Sequence, residues 1–161
     1  MEKMDKRSYN TSMMQPTDDP ADINKLINNP SIKPWVCGPL TGQLDVTVLM
    51  DDKNVFFAED LGGVGFIHKD EKTYECHTFV LPEGRGKWAR KKFYETLDWM
   101  FRYTQAEKIV TMCPVNNRMS IGAARMAGFK KYATVPSAWV YEGKMYDMDA
   151  YVYFKEQHRC Q

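Results

Sequence analysis

The spacing of apolar residues changes period partway along the chain. In TDDPADINKLINNP, residues 17–30, Ile23, Leu26 and Ile27 recur at helical spacing. Asp18 or Asp19 precedes them as a cap, Pro20 suits the first turn, and Asn28, Asn29 and Pro30 end the run. LDVTVLM (44–50), VFFAED (55–60), GGVGFIHKD (62–70) and YECHTFVL (74–81) each read as a strand, the last a longer alternating run, with DDKN as the first turn. The helical period returns over 87–104, where Ala89, Phe93, Leu97, Met100 and Phe101 define one face. KIVTMC (108–113) reads as a compact buried strand. NNRMSIGAARMAGF reads as a helix capped by Asn117 and stopped at Gly128, and two late strands lie near 132–141 and 147–154. The predicted order is α-ββββ-α-β-α-ββ, an α/β chain of the α+β kind with an antiparallel meander. A polar, flexible segment is expected over residues 1–15, then a single domain over 16–161.

Composition narrows the class. The 161 residues are 43% hydrophobic and 13% aromatic, which suits one globular domain. A net charge of +1 argues against a dedicated nucleic-acid binder and makes any basic function local. Cys37, Cys76, Cys113 and Cys160 form no C-x-x-C pair, and His68, His77 and His158 lack metal-site spacing, so free thiols in a reducing compartment and no metal are expected. With no long apolar span and no signal-peptide core, the expected location is cytoplasmic.

One stretch breaks local rules. In LPEGRGKWARKKF (81–93), Arg85, Lys87, Arg90, Lys91 and Lys92 crowd the start of a predicted helix. Cations there face the positive end of the helix dipole. Either an anion sits at this junction, or the residues form a solvated face whose stems cover apolar surface.

HTFVLPEGRGKWARKKF resembles the acetyl-coenzyme A loop, P-E-x-R-G-x-G-x-G/A, of the GCN5-related N-acetyltransferase (GNAT) superfamily. PVNNRMSIGAARMAGF resembles that family's N-x-x-S/A helix ending in Gly-Phe. YEGKMYDMDAYVYF is similar to the closing strands of the subgroup that modifies ribosomal-protein N-termini, with Gly143, Asp147 and Tyr151 meeting a G-x-x-x-D-x-x-x-Y pattern. The resemblance spans roughly 15–155. It implies the GNAT fold, a central mixed, mostly antiparallel sheet flanked by helices, and acetyl-CoA as co-substrate.

Carried onto this chain, the resemblance implies a cofactor site of Phe79, Val80, Leu81, Arg85, Gly86, Lys87, Trp88, Ala89, Asn117 and Ser120. A thioester polariser would be a backbone N–H near 79–81. Trp88 and Arg90 stand where relatives carry Gly or Ala, so the indole either points into the core or blocks the diphosphate. Asn117 and Ser120 either lie near the pantetheine arm or simply cap their helix. Glu75 and His77 share one strand face and are the candidate catalytic pair, a general base of raised carboxyl pKa or an imidazole; they are alternatively a plain surface pair. The position of the family's proton-donating tyrosine holds Ala124, leaving Tyr141, Tyr146 and Tyr151 as substitutes.

The functional expectation is transfer of an acetyl group from acetyl-CoA to a primary amine on a protein N-terminus, a lysine or a small molecule. The alternative is a GNAT-fold protein without catalysis, similar to proteins of short-tailed bacteriophages that enter the virion, with a protein or virion partner. No membrane partner is expected. Nucleic-acid binding through Trp88, Phe93 and Tyr94 among the cations is the third and weakest possibility.

Overall fold

The computed structural model describes residues 13–37 and 42–159. The first of its elements in chain order is β1 (Pro16–Thr17). Helices α1 (Pro20–Ile27) and α2 (Lys33–Cys37) come next, and strands β2 (Val55–Glu59), β3 (Gly62–Asp70) and β4 (Thr73–Val80) follow. Helix α3 (Lys87–Tyr103), strand β5 (Lys108–Pro114) and helix α4 (Arg118–Met126) lead to β6 (Lys130–Tyr141), β7 (Lys144–Phe154) and the short α5 (Lys155–His158). The strands form one seven-stranded sheet in the order β1-β2-β3-β4-β5-β7-β6. Every pairing is antiparallel except β4 with β5. The sheet is therefore mixed and mostly antiparallel, with helices on both faces, as expected.

Two apolar layers hold it. On one face, Leu97, Met100 and Phe101 of α3 and Ala124 of α4 pack on Phe57, Phe66, Cys76, Tyr151 and Tyr153. On the other, Ile23, Leu26 and Ile27 of α1 pack on Phe56 and Phe79. Burying each of these larger side chains contributes about 1.5–3 kcal/mol. Asp19 Oδ1 accepts from the Ala21 amide at 2.9 Å, so Asp19 is the cap of α1.

LDVTVLM is not a strand. Val46–Leu49 forms a 3-10 turn capped by Asp45. The backbone groups that a ladder would pair go to side chains of α1 and its C-cap. Asn28 accepts from Leu44 N at 2.7 Å and donates to Leu44 O at 2.8 Å, and Asn24 accepts from Val46 N at 2.8 Å. Alternation alone cannot distinguish this arrangement from a strand. The expected N-terminal segment also needs correction at its end. Met14 is buried on the α3 face, and its N–H donates to Glu95 Oε2 at 2.8 Å. Residues 1–12 and Cys160 lie outside the described residues.

Candidate functional site

The parallel pair β4/β5 decides where a site can form. Pairing runs only from Thr73↔Lys108 to Glu75↔Val110. Thr111 Oγ1 still reaches Cys76 O at 3.1 Å, and past that point the pairing ends. The Leu81 N–H donates to Leu61 O at 2.9 Å, on the β3 side. By period-two alternation, Thr78 and Val80 turn their backbone groups the other way, into the gap beside β5. A wedge with unpaired backbone thus opens at the carboxyl ends of two parallel strands, a position that favours ligands in mixed sheets. Leu81 lies past the end of β4, and its N–H is already used, so it cannot polarise a carbonyl. Phe79 points its ring into the α1 layer. Of 79–81, Val80 alone offers backbone to the wedge.

Both helices beyond the wedge begin at its mouth. Helix α3 starts after Gly86, whose φ of +93° is open to glycine at little cost, and it has no side-chain cap and no acidic residue in its first turn. The first N–H groups of this 17-residue helix have no intrahelical partner. Among the described residues Arg85, Lys87, Arg90 and Lys91 form no ion pair, while Lys92 is bound to Glu59 at 2.9 Å and Glu95 at 3.4 Å. The basic cluster therefore divides: Lys92 is structural, and the other four cations stand at an uncapped, positively polarised terminus. Arg85 Nη1 lies 3.9 Å from Met119 Sδ, which brings this loop against the start of α4.

Trp88 does not lie across that terminus. Its six-membered ring rests on two glycines, at 3.3 Å from where a Cβ would stand on Gly62 and 3.1 Å on Gly84. The indole is turned toward the β2–β3 turn. Ala89 follows it on the same first turn. At α4, Asn117 Oδ1 accepts from Ser120 N at 3.1 Å, and Ser120 Oγ lies 3.2 Å from Cys113 Sγ. Both side chains have structural partners here. Asn116, which belongs to no motif of the sequence, has a buried Oδ1 without a hydrogen-bond partner among the described residues.

Glu75 and His77 do come together. His77 Nε2 is 2.9 Å from Glu75 Oε1, and Lys69 Nζ is 3.4 Å from Oε2. The hydrogen bond from His77 is the largest influence on Glu75 and, with the charges of His77 and Lys69, holds its carboxyl below the ordinary value despite burial. The expected raised carboxyl pKa is therefore wrong in sign. A carboxylate so held orients a neighbour better than it takes a proton. His77, half exposed, can donate through Nε2 and keep the Nδ1 lone pair free. Cys113 is pushed above the usual thiol range by burial, which fits a buried hydrophobe. Of the substitute tyrosines, Tyr151 is buried with an unpartnered hydroxyl, and Tyr141 stacks on Trp35 at 4.4 Å.

Residues 52–160 match the family described as "Protein of unknown function (DUF2824)". The chain belongs to this family. No curated protein matches this member. Among solved structures it is similar to a spermidine N-acetyltransferase from Vibrio cholerae in complex with CoA and spermine, with TM-score 0.75, 20% identity, and coverage of 91% of this chain and 95% of that one. A mutant of the same enzyme aligns with TM-score 0.73 and 18% identity over 92% and 99% of the two chains. A chimera of that enzyme with hSSAT aligns with TM-score 0.62 and 20% identity over 68% and 71%. The DUF2824 chain thus has the GNAT fold. No helix among its described residues is long and apolar enough to cross a membrane.

Proposed function

We propose that the protein is an N-acetyltransferase that moves an acetyl group from acetyl-CoA to a primary amine. The observation that carries the reading is the wedge. Unpaired backbone at Thr78 and Val80 opens between two helix starts, one of them uncapped and ringed by Arg85, Lys87, Arg90 and Lys91. The diphosphate of the cofactor meets the α3 amides and these cations, through Gly86, Lys87, Trp88 and Ala89 backbone, and the pantetheine arm lies along β4. The thioester carbonyl accepts from the Val80 N–H. Asn117 and Ser120 shape the wall by fixing the start of α4.

His77 Nδ1 takes a proton from the attacking ammonium, with Glu75 positioning the ring through Nε2. The nitrogen attacks the carbonyl carbon, the C–S bond breaks, and the thiolate takes up the second nitrogen-derived proton. The products are the amide, free thiol and one proton released.

The test is calorimetric titration of the full chain with acetyl-CoA. Micromolar binding is expected, weakened more than about tenfold by R85E with K87E, since two lost charge-assisted contacts are each worth about 1.5–3 kcal/mol. Absence of binding at millimolar ligand would sink the reading. It would favour a non-catalytic GNAT-fold component with a protein or phage-virion partner, for which Trp88 and Ala124 at departed family positions speak.

A further inference from the structure

The face of the sheet that carries Glu75 and His77 continues past them onto β5, β7 and β6, which α1 does not cover. Cross-strand partners share a face. Glu75 pairs with Val110, Val110 with Val152, Met112 with Ala150, and Trp139 with Tyr146. Helix α1 covers β2, β3 and β4 on this side. Val110, Met112, Trp139, Tyr146, Met148 and Val152 belong to neither buried cluster, although each is half-buried. An apolar, aromatic strip therefore begins at the Glu75–His77 pair and runs toward the β6–β7 hairpin.

Three features define what the strip can hold. First, among the described residues of these strands, none beyond Glu75 brings a carboxylate to the strip. Asp147 and Asp149 alternate onto the opposite face, where Asp147 accepts from Ser137 N at 2.9 Å and Asp149 binds Lys131 at 3.0 Å and Thr134 at 2.8 Å. Glu75 itself is shared between Lys69 and His77. A polyamine would set its second and third ammonium groups on Met and aromatic surface with no counter-charge, which is costly. Second, the far end is narrowed. Trp35 of α2 stacks on Tyr141 at 4.4 Å with 9° between the planes, joining the helix side to the hairpin. That closure suits a compact ligand better than a peptide passing through. Third, Trp139 Nε1 is buried with no hydrogen-bond partner among the described residues, at the hairpin end of the strip. A buried donor left unmade marks a place where a ligand acceptor or π face would gain.

We infer that the acceptor is a small primary amine on an apolar or aromatic body, with a single ammonium at His77 and the body on the strip. This rests on the acetyltransferase reading and deepens it, and it departs from the spermidine of the fold's solved relatives.

The experiment compares acetyl transfer by the full chain to 2-phenylethylamine, spermidine and a short Met-initiated peptide, with free thiol as readout, alongside acetyl-CoA titration of the same protein. Phenylethylamine is expected to lead spermidine in kcat/KM by about 100-fold, the value of burying one aromatic body. Met112→Glu, which adds a carboxylate to the strip, is expected to narrow that ratio at least about tenfold while acetyl-CoA binding persists. Preference for spermidine or the peptide, or no turnover of any amine by protein that binds acetyl-CoA, overturns the inference and leaves cofactor binding standing. Failure to bind acetyl-CoA overturns the acetyltransferase reading itself, and the inference with it.

Discussion

Trp88 is the residue whose sequence context left two opposite outcomes open, and its neighbours decide between them. Gly62 and Gly84 have no Cβ, and the indole packs 3.3 and 3.1 Å from where those atoms would stand. The departure from a small residue at position 88 is thus matched by packing against the β2–β3 turn. Trp88→Gly is expected to lower stability by about 2 kcal/mol, less than a fully buried tryptophan because the ring is half exposed, and to change acetyl-CoA affinity less than about threefold. Denaturant melts and calorimetry read the two effects separately. A large gain in affinity would mean the indole obstructs the cofactor.

Glu75 carries a prediction of its own. Its carboxyl is lowered first by the hydrogen bond from His77 and also by the charges of His77 and Lys69, from an ordinary 4.5. A folded-state value below the unfolded one gives stability that is complete above 4.5 and lost as pH falls through the folded value. The Tm difference between wild type and Glu75→Gln is therefore expected to be largest near neutrality and to close below 4.5. A gap that does not shrink as the pH falls below 4.5 would contradict the assignment.

At the scale of elements, the helix starts carry the account. Asn117 caps α4, so Asn117→Ala is expected to cost about 1 kcal/mol, and Asn117→Ser to recover most of it. If acetyl-CoA affinity falls tenfold in Asn117→Ser as well, the side chain touches the ligand in addition to capping. The period of α3 and the caps and stops of α1 and α4 were legible in the sequence because each depends on residues within a few positions. The stretch 44–50 was misread because its backbone partners, Asn24 and Asn28, lie about 20 residues away in sequence, and alternation carries no trace of them. The family's loop and helix patterns pointed to the right two junctions. They could not say that Leu81 spends its N–H on Leu61, that Lys92 is held by Glu59, or that Lys69 of β3 joins His77 at Glu75, since all three depend on tertiary neighbours.

At the scale of the molecule, one asymmetry organises everything. Five of the seven strands run antiparallel to every neighbour, β4 and β5 share the single parallel contact, and that pair separates after three residue pairs. The wedge, the two helix starts and the Glu75–His77 pair all lie around that separation. The half-buried apolar strip on β5, β7 and β6 lies on the Glu75 side of it. A direct measurement is the change in backbone amide resonances when acetyl-CoA is added to isotopically labelled protein. The account predicts the largest shifts at Thr78 and Val80, at Lys87 to Ala89, and at the start of α4, with Leu81 little moved because its N–H stays on Leu61. Shifts confined to other surfaces, or none at millimolar ligand, would contradict it.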